Sequence, residues 1–233
     1  MKMIQELNAD HSQRVTIEIA KMDWETSKAD GVLRKRLERI NAKPEPVTTI
    51  VRYQANSAFP AHQHVKGEEI FVLEGTFSDN HGNYEAGSYL RNPAGTSHSP
   101  FSKEGCTIFV KLQQFQASDS KQLHIQTKQQ TWLPGLVPGL SVMPLHEHTY
   151  EHVALVKWET DTLFQSHRHI GGEEIFVLEG TFEDEFGSYP KETWLRNPPN
   201  SFHTPFTKQG CIIYVKTGHL GNRYNSTQYE TAL

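Results

Sequence analysis

The sequence contains an internal duplication, and this duplication restricts the fold more than any other feature of the chain. The string Gly-Glu-Glu-Ile-Phe-Val-Leu-Glu-Gly-Thr-Phe that starts at Gly67 returns unchanged at Gly172, 105 positions later. At that offset, 31 of the 61 positions from Val51 to Lys111 are identical in the second copy. The chain of 233 residues is therefore expected to build one structure twice.

The repeat has the size of a small domain. Solenoid repeats recur about every 20–50 residues, whereas here the offset is 105. Upstream of Val51 the offset becomes 108, with Gly31 matching Gly139. We therefore predict two domains, at 13–117 and 121–220, with the polar, Gln-rich stretch from Gln113 to Thr131 as the linker.

Both copies consist of short apolar or alternating segments separated by Gly, Pro, Asn and Asp. In the first copy these segments are 48–54, 68–73, 75–78, 88–92 and 106–112. The pattern predicts an all-β fold of antiparallel sandwiches or barrels with few helices. The charged stretch Arg34-Lys35-Arg36-Leu37-Glu38-Arg39 is interpreted as a solvated face without a function.

Charge and composition exclude several classes of function. Lys and Arg number 23 against 27 Asp and Glu, which leaves a net charge of -4 and no broad basic surface for nucleic acid. No apolar run approaches the ~20 residues that span a bilayer, and the first residues lack the apolar core of a signal peptide. The two cysteines are too few for a disulfide framework. We expect a cytoplasmic protein that binds neither nucleic acid nor membranes.

Six of the 13 histidines fall into two sets with equal spacing, each accompanied by a glutamate. The sets are His62, His64, Glu68 and His98 in the first copy, and His167, His169, Glu173 and His203 in the second. Histidines two apart on a strand share a face, and turns before the glutamate and the third histidine can bring both beside them. Imidazole and carboxylate together suit Zn, Fe, Mn, Ni or Cu rather than Ca or Mg. The spacing predicts one divalent metal site in each copy.

These strings resemble the two motifs of the cupin superfamily, whose members are small double-stranded β-helix barrels of the jelly-roll kind. The first motif is Gly-x5-His-x-His-x3–4-Glu-x6-Gly. It is matched in both copies except at its leading Gly, where Asn56 and Asp161 stand. The resemblance implies two tandem cupin barrels.

The second motif, Gly-x5-Pro-x-Gly-x2-His-x3-Asn, is matched in the first copy up to His98, with Ser102 at the closing Asn position. In the second copy Glu192 and Asn200 replace the two glycines. Asn tolerates the left-handed backbone that a turn requires, whereas Glu192 predicts a different loop.

Within the superfamily, the strings Gly-Glu-Glu-Ile-Phe-Val-Leu-Glu-Gly, Arg-Asn-Pro and Gly-Cys-x-Ile-x-Val-Lys are most similar to those of the ChrR-like cupins. This resemblance implies that the two His3Glu sets bind divalent metal, with zinc expected and iron, nickel or manganese as alternatives. It also implies regulation, stress response or small-ligand sensing. ChrR anti-sigma factors grip their sigma factor with a separate His-x3-Cys-x2-Cys domain. Neither Cys106 nor Cys211 lies in such a pattern, so we do not expect direct sigma factor binding.

Four further charged residues recur in matching contexts. Arg91 and Arg196 lie in identical Leu-Arg-Asn-Pro strings, where each could clamp a carboxylate, hold a metal ligand or form a structural salt bridge. Glu69 and Glu174 follow the presumed glutamate ligands and could coordinate metal or act as a base, although strand alternation would turn them outward.

The role of the metal stays open at this stage. Four protein ligands complete a tetrahedron around zinc, which suits structural or sensing roles. Iron, manganese or nickel would keep two positions free, which suits a cupin dioxygenase acting on a small molecule. The metal could also serve folding alone in one barrel. A small-molecule ligand in the barrels and a homodimer are compatible with either function.

Overall fold

The computed structural model describes residues 6–41 and 46–220 and consists almost entirely of antiparallel strands, which confirms the all-β expectation. The strands of the first part of the chain are β1 Val15–Glu18, β2 Glu25–Thr26, β3 Val32–Arg39, β4 Val47–Tyr53, β5 Ser57–Ala58, β6 His62–Gln63, β7 Glu68–Ser78, β8 Asn83–Glu85, β9 Ser88–Asn92, β10 Ser97–His98, β11 Phe101–Ser102, β12 Cys106–Leu112 and β13 Leu123–Gln126. The remaining strands are β14 Leu133–Pro134, β15 Leu140–His148, β16 Glu151–Trp158, β17 His167–His169, β18 Glu173–Asp184, β19 Gly187–Pro190, β20 Thr193–Asn197, β21 Ser201–His203 and β22 Cys211–Thr217.

Helical structure is confined to two short 3-10 turns within the described ranges. They span Ile19–Lys21 and Thr127–Gln129, and each directly follows a strand. In the same part of the chain, no helix has the length and apolar character needed to span a bilayer.

The chain forms two compact units with the same internal topology. The main sheet of the first unit has the order β13-β9-β7-β12-β4-β3-β2, and that of the second has the order β1-β20-β18-β22-β16-β15-β14. Each unit adds one two-stranded sheet, β6 with β10 and β17 with β21. Position by position the two orders are equivalent, so the sequence duplication is a duplication of whole barrels.

One edge strand of each barrel comes from outside its own repeat. The first unit contains Met22–Gln130, whereas the second contains Asp10–Lys21 and the chain from Thr131 onward. Accordingly β1 pairs with β20, and β13 pairs with β9. The predicted domains, 13–117 and 121–220, differ from these units in the placement of both segments. A repeat in sequence does not specify which copy supplies an edge strand, because the docking sites in the two copies are alike.

Strand alternation separates an inner from an outer face in each barrel. In β7, Ile70 and Val72 join the buried core of the first barrel, and Glu68 lies on the same face. In β18, Ile175 and Val177 join the core of the second barrel, and Glu173 shares their face. Each barrel thus carries one inward-facing glutamate at the start of its central strand.

The loop before β20 follows the same path as its counterpart before β9, so the expected different loop at Glu192 is wrong. The Gly87 amide donates to the Val72 carbonyl at 2.8 Å, and the Glu192 amide donates to the Val177 carbonyl at 2.8 Å. The backbone of Glu192 adopts a φ of 63°, which is a strained value for a residue with a side chain. Its carbonyl oxygen also accepts from the Ile19 amide at 2.8 Å, so hydrogen bonds on both sides fix the strained conformation.

The charged stretch in β3 is not a solvated face, contrary to the sequence interpretation. Lys35, Leu37 and Glu38 are buried, and the other positions of the stretch are only partly exposed. β3 lies between β2 and β4 and is paired on both sides, which the charge pattern alone did not reveal.

Candidate metal centres

The first barrel brings four predicted ligands together. His62 on β6 lies opposite His98 on β10 in the pairing register, while His64 follows β6 and Glu68 begins β7. One ligand atom from each of the four lies within 4.8 Å of the others. The Glu68 Oε2 atom is 3.2 Å from His64 Nε2 and 3.4 Å from His98 Nε2. Three imidazoles and one carboxylate therefore converge on one point inside the barrel.

The second barrel repeats the pairing, but here only the three histidines each offer a ligand atom within 4.8 Å of the others, and Glu173 lies outside that limit. His167 lies opposite His203 in the register of β17 with β21, and these two form a compact group with His169. The Glu173 Oε2 atom lies 3.5 Å from His169 Nε2 and 3.6 Å from His203 Nε2. The His169 and His203 Nε2 atoms are 3.0 Å apart.

The donor atoms fit a divalent metal ion. With metal–ligand bonds of about 2.1 Å, the ligand atoms of a tetrahedron lie about 3.4 Å apart, close to the separations in both clusters. The Nε2 atoms of His64 and His98 are buried, and both converge on the same Glu68 Oε2 atom, at 3.2 and 3.4 Å. One carboxylate oxygen shared by two buried imidazole nitrogens satisfies them poorly, and a metal at the centre of the cluster would satisfy both atoms.

The other ring nitrogen of most ligands is held by the protein. His62 Nδ1 lies 2.9 Å from the Pro60 carbonyl oxygen, and His64 Nδ1 lies 2.9 Å from Thr96 Oγ1. In the second barrel, His167 Nδ1 lies 3.0 Å from the Gln165 carbonyl oxygen. Donation by Nδ1 to these oxygens leaves Nε2 as the basic nitrogen, which is the atom that points at the cluster.

A carboxylate orients the third histidine of each set. Asp79 Oδ2 lies 3.1 Å from His98 Nδ1, and Asp184 Oδ2 lies 3.3 Å from His203 Nδ1. Both aspartates also accept hydrogen bonds from backbone amides of the following turn. Each aspartate is therefore fixed before metal binds, and it raises the basicity of its histidine.

The two aspartates differ in one contact. Arg14 Nη2 lies 2.5 Å from Asp184 Oδ2, the same oxygen that faces His203. Arg14 also donates to Tyr189 Oη at 2.8 Å. In the first barrel the described contacts of Asp79 include no cationic side chain other than His98. The carboxylate behind the second cluster therefore shares its charge with an arginine.

An asparagine positions each glutamate ligand. The register of β7 with β9 pairs Glu68 with Asn92, whose Nδ2 donates to Glu68 Oε2 at 3.1 Å. In the second barrel, Asn197 Nδ2 donates to Glu173 Oε2 at 2.8 Å. Both asparagines belong to the duplicated Leu-Arg-Asn-Pro strings.

Burial and neighbouring charges shift the pKa values of the clustered groups in different directions, and burial lowers those of His62 and His169. Burial raises the pKa of Glu68, but hydrogen bonding to His64 and the charges of the histidines outweigh burial and bring that pKa below its ordinary value. Burial lowers the pKa of His98, yet the hydrogen bond to Asp79 and the nearby carboxylate charges raise it overall. The pKa of His203 is raised in the same way, against burial, by Asp184. A metal ion would therefore compete with protons for His98 and His203.

The other four predicted residues do not lie among the metal ligands. Glu69 and Arg91 are partners on the outer face of β7 and β9, where Arg91 also pairs with Asp119 and lies over the Phe115 ring. Glu174 accepts from Trp194 Nε1 at 2.8 Å. Arg196 donates to the Asp10 carbonyl oxygen at 2.9 Å.

Sequence analysis missed the aspartates and asparagines that support the ligands. Asp79 and Asp184 are an identical pair at the 105 offset, and Asn92 and Asn197 are another. Identity across the copies was therefore an available signal. Only the arginine of the Leu-Arg-Asn-Pro string is considered in the sequence analysis, whereas the pairing register places the asparagine opposite the glutamate.

A cavity of about 210 Å³ adjoins the second cluster. Its lining includes the four second-barrel ligands, Thr217 and otherwise apolar or aromatic side chains, among them Val142, Val156, Trp158 and Ile213. None of the described lining residues is Lys or Arg. The Trp158 Nε1 atom is buried without a hydrogen-bond partner in the described chain.

The paired barrels and their inward His-x-His, Glu and His sets define the chain as a tandem cupin. The model of the ChrR cupin-like domain matches residues 12–116 and 120–221, so the chain belongs to that family. No curated protein matches the chain.

Solved structures show the same fold at low sequence identity. A proposed dioxygenase from Nostoc punctiforme is 16% identical, with a TM-score of 0.76, over 90% of this chain and 84% of its own. A proposed glyoxylate-induced protein from Pseudomonas aeruginosa is 13% identical, with a TM-score of 0.70, over 88% of both chains. A point mutant of oxalate decarboxylase from Bacillus subtilis is 12% identical, with a TM-score of 0.64, over 88% of this chain and 77% of its own. At these identities the likeness concerns the fold.

Proposed function

We propose that each barrel holds one divalent metal ion through its His3Glu set, and that the second barrel is a metal-dependent oxygenase centre for a small apolar molecule. The cavity beside the second cluster carries this proposal. Structural metal sites are closed, whereas catalytic sites keep a position open to substrate. A cavity lined by all four ligands gives a small molecule access to the metal.

The lining indicates the chemistry of the molecule. Apolar walls exclude water and favour a neutral ligand, and the absence of Lys and Arg from the described lining disfavours an anion. Trp158 lines the cavity and its buried Nε1 lacks an acceptor within the described chain, so we propose a carbonyl oxygen of the ligand as that acceptor. A small apolar carbonyl compound fits these conditions.

The protein residues have separate tasks in this centre. A bound ion would supply Lewis acidity and a coordination position for the small molecule. His167, His169 and His203, with Glu173 beside them, would hold the ion, and Asp184 fixes the orientation of the His203 ring. The aromatic and aliphatic walls confine the small molecule beside the cluster.

Two of the structural neighbours support a reaction on a small molecule, since one is described as a dioxygenase and another as an oxalate decarboxylase. Zinc-based ligand sensing in regulation or stress response is the second candidate. It is favoured by the ligand separations of 3.2–3.6 Å between glutamate and histidine atoms, which match a closed tetrahedron.

Metal analysis followed by oxygen consumption separates the two functions. We expect about two ions per chain in untagged protein, and oxygen uptake when the iron-loaded protein receives acetylacetone as the probe. Val156→Phe should fill the cavity and abolish uptake while the metal content stays the same. Trp158→Phe should weaken probe binding about tenfold. Zinc as the native metal, with probe binding but no uptake in the iron-loaded protein, would favour sensing, and protein that takes up no metal would refute both functions.

A further inference from the structure

The two barrels differ in charge at one inward position of the strand that flanks the site. In the first barrel β3 pairs with β4 so that Arg34 lies opposite Val51. In the second barrel β15 pairs with β16 so that Val142 lies opposite Val156. Val51 and Val156 correspond in the repeat, so Arg34 occupies the position of Val142. Val142 lines the cavity beside the second metal cluster.

The surroundings of Arg34 place its guanidinium on the inner side of the first barrel. Val32, two positions earlier on the same strand, belongs to the barrel core. The guanidinium carbon lies 5.3 Å from the centre of the Phe59 ring. The same ring packs edge-on against the metal ligand His62 at 5.6 Å between centroids. One aromatic ring therefore contacts both Arg34 and the cluster.

This arginine has the Phe59 ring as a neighbour but no carboxylate partner in the described chain. The Nε atom of Arg34 is buried and makes no hydrogen bond within the described chain, and the described contacts of the guanidinium include no carboxylate. Burial also lowers the pKa of Arg34, because a charged group is disfavoured away from water. Glu25 lies opposite Arg34 in the register of β2 with β3, but its carboxylate pairs with Arg36 instead. A partly buried guanidinium without a carboxylate, across one aromatic ring from a metal ligand, is suited to receive an anion.

A second cation recurs at the edge of the same region. The turns before β3 and β15 make equivalent backbone bonds, from Ser27 N to Val32 O at 3.0 Å and from Gly135 N to Leu140 O at 2.9 Å. Lys28 thereby corresponds to Leu136, which lines the second-barrel cavity and is 87% exposed. At both positions the first barrel has a cation where the second has an apolar residue.

We propose that the first barrel binds a small carboxylate through Arg34, beside its metal ion, whereas the second barrel takes a neutral molecule. The proposal rests on the metal centres of the proposed function. Arg34 offers a planar fork that matches a carboxylate, and Lys28 adds positive charge on the entry side. The two barrels of one chain would then bind ligands of different charge with the same metal ligands.

The test measures ligand binding to the full-length chain with one metal site at a time. His169→Ala leaves the first cluster intact, and pyruvate and its neutral ester methyl pyruvate are titrated calorimetrically into this variant loaded with zinc. We expect pyruvate to bind at least tenfold more tightly than the ester. Adding Arg34→Val, the residue of the second barrel, should weaken pyruvate binding about 10- to 100-fold without loss of zinc.

Three further variants control for charge and folding. Arg34→Lys keeps the charge but loses the fork, so it should retain part of the affinity. Arg52→Gln removes an exposed cation that lies over Trp24 and should leave binding unchanged. In a His64→Ala background, Val142→Arg should give the second barrel a preference for pyruvate over its ester.

Two outcomes would overturn the proposal, namely equal binding of acid and ester, or pyruvate binding that Arg34→Val leaves unchanged. Protein that binds no zinc yet binds pyruvate through Arg34 would refute the metal centre and support the carboxylate site. The two hypotheses can therefore fail separately.

Discussion

Replacing the aspartate behind each metal cluster should weaken the two sites unequally. Asp79→Asn and Asp184→Asn remove the negative charge from Nδ1 of His98 and His203 while preserving the shape of the side chain. The two aspartates are supported by equivalent turns. Of the two, only Asp184 is contacted by Arg14 in the described structure. The pair of variants therefore isolates the effect of one arginine.

The magnitude follows from the contacts of each carboxylate. Loss of a carboxylate that orients a metal-bound histidine costs about 10- to 100-fold in metal affinity. We expect Asp79→Asn to lie near 100-fold, because His98 is the one cationic partner of Asp79 in the described contacts. Asp184→Asn should lie near tenfold, since Arg14 already neutralises part of the charge on the same Oδ2 atom. Because the Arg14 side chain is 24% exposed, Arg14→Gln should raise the affinity of the second site only about two- to fivefold.

The assay is competition for zinc against a chromophoric chelator, with one site measured at a time. The first site is measured in the His169→Ala background and the second in the His64→Ala background. Circular dichroism and the Tm of the metal-free variants show whether the fold is retained. Equal losses at both sites, together with no effect of Arg14→Gln, would refute the argument that charge sharing sets the difference.

Three other results are expected. His64→Ala and His169→Ala should each remove about one ion per chain by elemental analysis, and loss of both ions from either change would indicate one shared site. The pKa of His98 is raised in the metal-free protein, so protonated His98 stabilises that form below the ordinary histidine pKa, and this stabilisation is lost as pH rises. The increase in Tm on adding zinc should therefore be smaller at pH 5 than at pH 8. An increase that does not change with pH would contradict competition between zinc and protons. Gly180→Ala should lower the free energy of unfolding in urea by about 2–4 kcal/mol, because φ is +69° and the added Cβ would lie 2.0 Å from the Gly210 carbonyl oxygen. Gly95→Ala, at φ +90° but with no atom within 4 Å of the added Cβ, should lower it less.

The sequence predicts which histidines and glutamates come together, because two regular rules combine there. The duplication identifies which polar residues recur, and strand alternation turns Glu68 inward and Glu69 outward. Both rules depend on local geometry that a strand imposes whatever surrounds it. The closure of the strands into a barrel is inferred from the resemblance to cupins, because residue spacing alone does not predict it.

The features that sequence analysis missed depend on long-range register. Arg34 was interpreted as part of a solvated face, and its position inside the barrel follows only from the pairing of β3 with β4. The inward position of Asn92 depends on the pairing of β9 with β7. The strained turn at Glu192 persists because neighbouring strands fix its two hydrogen bonds, which local preference for glycine does not reveal.

The exchange of edge strands affects the order in which the chain can fold during synthesis. β1 leaves the ribosome long before its partner β20, which begins only at Thr193. Arg14, immediately before β1, likewise meets Asp184 only after most of the chain is made. The first barrel can complete its sheet once β13 has emerged, whereas the second must recruit a strand from the opposite end of the polypeptide. Such a long loop closure is slow, so assembly of the second barrel is expected to be the later step.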